Sequence, residues 1–407
     1  MTTTPDTVRR AAEFAAESTI TSTAPTLGEG IGDTGRPPRP EAQANSAQRP
    51  EAQASSTQRP EAQANSAQRP KAQASSTQQR GARPDLEEEP TSTFQRFLVG
   101  LFVVIPLAAL LAAIPLMWGW GLGWHDVLIA LAFYWFSGLG VTVGYHRYFT
   151  HQSFKARSGL RLWLAIAGSL AIEGPVITWV SDHRRHHKYS DREGDPHSPW
   201  RYGDDWKALS KGLVYAHIGW LFDPNKTSQE KFSPDLLADK RIKRVDNWFA
   251  GLVAVSLLAP ALIGGLWGMS WHGALTAFFW ASLVRVALLH HVTWSINSIC
   301  HTFGSEEFEV RDKSRNVAWL AIASFGESWH NLHHADPTCA RHGALKGQLD
   351  PSARVIWAFE KLGWAHDVRW PDEDRLAAKR PATATRKLGS MTRRRGSVRS
   401  AVSSESR

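Results

Sequence analysis

Four long apolar runs constrain this chain more than any other feature. They cover Phe97–Trp118, Val127–Gly144, Trp248–Trp267 and His272–Leu289. Each approaches the roughly 20 residues needed to cross a bilayer. The first three contain no charged residue, and the fourth contains one, Arg285. In lipid a chain must satisfy its own backbone hydrogen bonds, so such runs can only be helices. Pro106, Pro115 and Pro260 interrupt them, which membrane helices tolerate better than soluble ones. The expected fold class is therefore an all-α integral membrane protein with four transmembrane helices.

Lys and Arg placement gives the orientation. The connections 119–126 and 264–273 hold neither residue, whereas Arg96, Arg147 and the cluster Lys240, Arg241, Lys243, Arg244 mark the opposite ends. By the positive-inside rule both termini and the whole 145–247 segment are expected in the cytoplasm. Trp118, Trp120, Trp124, Trp267 and Trp271 then form an outer interfacial belt. A fifth apolar run, Leu160–Val180, contains Glu173-Gly174-Pro175. Were it to cross, the basic cluster before Trp248 would lie outside, so it is expected to lie along or dip into the cytoplasmic face.

The two ends differ in kind from the middle. Residues 1–93 contain no Trp and no His, and a ten-residue unit repeats four times from Arg39, Arg49, Arg59 and Arg69. Its only apolar residue is Ala, too little to offset the entropy of ordering the backbone. Residues 1–93 are expected to be a disordered arm, 94–372 the membrane-bound domain and 373–407 a basic disordered tail. From Lys379 onward nine Lys/Arg face one acid, Glu405, which accounts for nearly all of the net charge of +9. That charge fits attraction to anionic lipid or simple solvation; it does not mark a folded nucleic-acid-binding face. Two cysteines, Cys300 and Cys339, exclude a disulfide framework or an iron–sulfur cluster built by this chain alone.

All 17 histidines follow residue 124, and they cluster. His146 and His151 stand in HRYFTH, His183, His186 and His187 in HRRHH, and His330, His333 and His334 in HNLHH; His301 follows Asn297 in NSICH. Spacings of three and four put side chains on one helical face, so the second and third clusters can each aim at one point. The five-residue spacing of His146 and His151 fits two metals or a bent helix end. Every cluster lies at or beyond the cytoplasmic end of a span, away from the bilayer midplane, which argues against a conduction path. Nine imidazoles exceed the three of a catalytic zinc and suit two metals with four or five ligands each. His197, His217 and His342 are expected in supporting roles, and His290 and His291 in helix packing.

These boxes, in the contexts GVTVGYHRYFTHQSFKA, DHRRHHKYSDREGDPHSP, TWSINSICHTFG and GESWHNLHHADP, resemble the membrane-bound fatty-acyl desaturases of the stearoyl-CoA delta-9 type, closely over residues 135–345. The resemblance implies four transmembrane helices beneath a cytosolic helical cap that holds a di-iron centre. It implies His146, His151, His183, His186, His187, His301, His330, His333 and His334 as ligands, with Asn297 reaching one iron through water. It implies oxygen-dependent insertion of a cis double bond at the delta-9 position of a saturated fatty-acyl chain, carried foremost by CoA and otherwise by another acyl carrier. The chemistry agrees, because an unactivated methylene has no acidic proton and redox-inert zinc could not oxidise it. The chain would bend in an apolar tunnel at Trp179, Thr293 and Trp294, with Asp182 near its headgroup.

Three departures from the family pattern stand out. Glu173 replaces a Gln found at the bend in some members, Ser181 an Arg of the animal members, and Pro224-Asn225 their Arg-Lys. With no heme-binding or dinucleotide-binding motif in the sequence, two electrons per turnover are expected from an external donor: ferredoxin, rubredoxin or cytochrome b5 with a reductase. A multi-pass protein of the cell membrane, or of the endoplasmic reticulum in a eukaryote, follows. A hydroxylase or related di-iron oxygenase and a non-catalytic metal carrier are the alternatives.

Overall fold

A computed structural model describes residues 85–117 and 121–381. The repeats, Trp118 and Trp120, and the tail beyond Pro381 lie outside the described residues. In chain order the helices begin with α1 (Thr93–Met117), α2 (Trp124–Leu139, running on as π-helix through Gly140–Thr150), α3 (Ser158–Ser169) and α4 (Val176–Tyr189). Then come α5 (Trp206–His217), α6 (Gln229–Phe232), α7 (Pro234–Ala238), α8 (Lys240–Asn247) and α9 (Phe249–Trp267). A second π-helix, Phe278–Val284, joins α10 (Trp271–Ala277) to α11 (Arg285–Ser298). Last are α12 (His330–Ala335), α13 (Pro351–Lys361) and α14 (Glu373–Ala377). The one sheet among the described residues pairs β1 (Lys155–Ala156) antiparallel to β2 (Ala365–His366).

Four helical stretches are long and apolar enough to cross a membrane: Thr93–Pro115, Trp124–Thr150, Phe249–Trp267 and Trp271–Ser298. The second and fourth have 27 and 28 residues, or about 40 Å at 1.5 Å per residue, against a hydrocarbon core of about 30 Å. Their surplus length projects on the side of α3–α8 and α12–α14, and it carries His146 and Asn297. Trp124, Trp267 and Trp271 are exposed at the opposite ends.

Close backbone approach fixes the second span against α3. Gly140 and Gly144 stand four apart, and a Cβ on Gly140 would lie 2.2 Å from the Ala167 carbonyl carbon. Small residues at this spacing let membrane helices touch. Across the same contact the Tyr145 hydroxyl lies 2.7 Å from that of Ser169. Arg285, the lone charge of the fourth run, is buried. Its guanidinium donates to the carbonyls of Ala281, Leu170 and Ser256, so the third and fourth spans are tied to the end of α3.

The fifth apolar run does not cross as one helix. It divides into α3 and α4 at residues 170–175, where Ile172 (φ 64°) and Gly174 (φ 119°) turn the chain and Pro175 caps α4. Positive φ at a β-branched residue is strained, and here it is held by burial against Val253 and Val286. A core of Val143, Phe149, Leu164, Ile177, Leu236, Ile242 and Ile356 joins the second span to the cap.

Both expected domain boundaries move outward. Residues 85–91 pair with the 224–229 loop: Glu87 N–H donates to Lys226 O and Thr91 N–H to Pro224 O. Asp85 accepts from Tyr189 and pairs with Lys188 and Lys231. At the other end, α14 docks through the Arg375–Asp336 pair and Leu376, which is buried with Phe308 and Leu332. Composition alone hid these anchors, because each rests on a few side chains meeting partners distant in sequence.

Candidate metal centre

The histidines arrive on four elements. The π-helical end of the second span carries His146, with His151 as the residue that caps it. A π-helix bonds residue i to i+5, and His151 N–H donates to His146 O. This brings two side chains five residues apart to one place, so a bent helix end, rather than two separate metals, accounts for the spacing. α4 carries His183, His186 and His187; His301 follows α11; and α12 carries His330, His333 and His334.

The nine form two groups. In the first, one ring nitrogen from each of His146, His151, His183, His187 and His333 lies within 4.8 Å of the others. The second contains His186, His301, His330 and His334 at the same spread. The two rows touch, since the rings of His187 and His334 stack at 4.5 Å.

Carboxylates behind the rings orient them. Nδ1–H of His186 donates to Asp195 at 3.0 Å, that of His301 to Asp191 at 2.8 Å and that of His334 to Asp312 at 2.8 Å; His146 pairs with Glu327. Occupied Nδ1 positions leave Nε2 with a bare lone pair. His330 Nε2 then faces two such lone pairs, those of His301 and His334, each at 3.0 Å. One N–H could satisfy one of them but not both. His151 Nε2 is buried without a partner among the described residues. Converging imidazoles with more lone pairs than protons to share between them fit divalent metal, and the donor set suits iron among others.

Burial, and then repulsion from neighbouring rings, holds His183, His187, His330 and His333 well below the usual imidazole pKa; burial also lowers His334, to about 4, against the pull of Asp312. These rings are neutral, as ligation requires. Burial alone would raise the carboxyls of Asp195 and Glu327; the His186 ring beside the first, and His146 with Arg147 beside the second, hold both low.

Glu327, Asp191, Asp195 and Asp312 were not singled out from the sequence. Their signal was present, since Asp191 and Asp195 follow the second box closely and Glu327 stands three residues before the third. Two of the supporting histidines lie against the groups: the ring of His197 is 4.4 Å from that of His186 and that of His342 is 4.5 Å from that of His333. His217 is farther off, 2.9 Å from His291 and 3.0 Å from Ser298 Oγ. His290 lies against Ala171 O at 2.9 Å and also lines the larger cavity described next.

Two cavities meet beneath the first group, and both are lined by Trp179, His183, Thr293 and Asn297. The larger, about 320 Å³, also takes in Glu173, Asp182, Trp220, Trp294 and, from α1, Val99 and Phe102. The smaller, about 50 Å³, reaches Gly138, Val141, Leu289 and Phe325. All five residues expected along the tunnel therefore border this space. The Trp179 indole donates to Glu173 Oε2 at 3.1 Å. Burial pushes the Glu173 carboxyl up to about 7 and that of Asp182 to about 6.

The sequence profile of the fatty acid desaturase family matches residues 122–345, the stretch that holds all nine histidines. The chain belongs to the fatty acid desaturase family. That membership makes it an oxidoreductase. A hex-5-enoyl-[acyl-carrier protein] acetylenase of Moorena producens is 37% identical over 284 residues, 69% of this chain and 88% of that one. Delta-9 acyl-lipid desaturase 1 of Arabidopsis thaliana is 39% identical over 250 residues, covering 61% and 77%. The sn-1 stearoyl-lipid 9-desaturase of Synechocystis is 33% identical over 296 residues, covering 72% and 86%.

Proposed function

We propose that this desaturase uses O2 and two external electrons to insert a cis double bond at the delta-9 position of a saturated fatty-acyl chain. The convergence of nine histidines in groups of five and four, beside two adjoining and largely apolar cavities, carries this reading. In the balance, the acyl chain loses two hydrogens, and O2 takes up those, two electrons and two protons to leave two waters. Two irons, bound by these histidines with Asn297 through water, would supply the oxidising power that no side chain has.

The protein's own part is positioning. Trp179, Thr293 and Asn297 stand where the two cavities join, so a chain threaded through both presents its middle carbons to the histidines. Phe325 closes the far end, tight against Gly138, where an added Cβ would lie 2.3 Å from its ring. Apolar walls exclude water from the reacting carbons. The basic ends of the spans support a cytoplasmic site, reached by a soluble or membrane-bound electron carrier.

The delta-9 reading draws support from two relatives named as 9-desaturases. Acyl-CoA, the leading carrier from sequence, finds less. Ser181 is buried and donates to Ile177 O, and Pro224 and Asn225, exposed on a loop that Glu87 and Thr91 hydrogen-bond, offer no positive charge. Expression in a host lacking unsaturated fatty acids tests the reading. Monoenes are expected from the wild type under air and none from His333→Ala. Hydroxylated acids without alkenes would establish the oxygenase alternative; lost metal with unchanged lipids would establish a carrier.

A further inference from the structure

The larger cavity is walled by the spans as well as by the cap. Val99, Phe102 and Val103 of α1 line one side of it and Phe249 of α9 another, while His290, Thr293 and Trp294 of α11 form the back. Val99–Val103 lie about 9–15 Å along α1 from Thr93 at 1.5 Å per residue, a depth at which lipid tails surround the helix. Phe102 lines the cavity and is partly exposed. A passage from the hydrocarbon into this cavity would therefore lie between α1 and α9, a side window at that depth.

A second observation lies one residue away. Lys240, Lys243, Arg244, Asn247 and Trp248 frame an open pocket of about 330 Å³ on α8, and Trp248 immediately precedes the cavity residue Phe249. α8 buries Ile242 and Val245 and turns its basic side chains outward. The acids beside them make their hydrogen bonds elsewhere: Asp239 caps α8 and pairs with Arg161, and Asp246, although Lys243 is near, accepts Ile177 N–H at the start of α4. Among the described residues no carboxylate forms an ion pair with Lys240, Lys243 or Arg244. Exposed Trp248 sets this pocket at headgroup level, where Trp concentrates.

We infer that the acyl carrier is a membrane glycerophospholipid. Its phosphate rests on Lys240, Lys243 and Arg244, and its acyl chain passes sideways between α1 and α9 into the cavity. The inference deepens the desaturase reading and rests on it for the chemistry, though not for the binding. CoA and acyl-carrier protein also bring phosphate, but neither is held in the bilayer at the level of the window.

The test uses the full chain in nanodiscs with three probes: distearoyl-phosphatidylglycerol, stearoyl-CoA and stearoyl-acyl-carrier protein, each isotopically labelled. Retention of the labelled phosphatidylglycerol is measured directly, for the wild type and for Lys240→Gln/Lys243→Gln/Arg244→Gln. The wild type should retain the phospholipid and place its first double bonds there. The triple variant, with metal content and thermal unfolding unchanged, should need about a hundredfold more phosphatidylglycerol for half-saturation, because each of the three charges near the membrane surface contributes to anionic-lipid attraction. Unchanged retention in the variant, or first double bonds on CoA or acyl-carrier protein, would overturn the inference. Retention that depends on the three basic residues, with no double bond on any carrier, would support it and count against desaturation alone.

Discussion

Glu327 shows how much one residue can organise. It accepts from Arg147 at 2.9 Å, pairs with the His146 ring and lies 3.4 Å from His342. Its carboxylate thus sets a ligand tautomer while neutralising a buried guanidinium that Asp350 also contacts. Glu327→Gln keeps the shape and loses the charge. Metal affinity, read by titration of the apoprotein, should fall about 10- to 100-fold, as for other partners of ligating histidines; unchanged affinity would show that His146 needs no such partner. Glu173 gives a different signature. Its carboxyl titrates near 7 in the fold because burial disfavours the charge, against about 4.3 unfolded. Between those values the unfolded chain ionises and the folded one does not, so rising pH favours unfolding. Glu173→Gln lacks this penalty. Its melting temperature should gain on the wild type from about pH 4.5 to 7 and hold a constant lead above.

At the scale of elements, the second span matters most, since it is both membrane anchor and ligand carrier. Its contact with α3 depends on Gly140, where a Cβ would meet backbone rather than a movable side chain. Gly140→Ala should therefore cost about 1–3 kcal/mol by overpacking and displace His146. A lowered melting temperature together with weaker metal binding would show both effects, and an unshifted melting temperature would refute the contact. Much of this level was legible in the sequence. Charge-free runs near 20 residues have one solution in lipid, and i, i+3 and i+4 spacing places His183, His186 and His187 on one face of α4. The π-helical end was legible only as an unexplained five-residue interval. The carboxylates were not, because Glu327 meets His146 across 181 residues of chain, and no periodicity encodes such a contact.

For the whole molecule, the ends need redrawing. The repeats carry nothing that could build a core, yet Asp85 grips Lys188 and Tyr189, the two residues after His187. Removing residues 1–84 should leave activity near wild type, whereas removing 1–90 should lower the melting temperature by freeing the end of α4. Equal stability of the two truncations would mean that the clamp is idle. At this scale the two histidine groups are proposed to hold two irons which together oxidise one acyl chain. Counting metal and product in a single turnover tests it most directly. Purified protein carrying a saturated acyl substrate is reduced, its reductant removed, and O2 admitted once. Two irons per chain and up to one new cis double bond per chain are expected, since two ferrous ions hold the two electrons required. Double bonds formed with one iron or with zinc, or a hydroxyl group in place of the alkene, would contradict it.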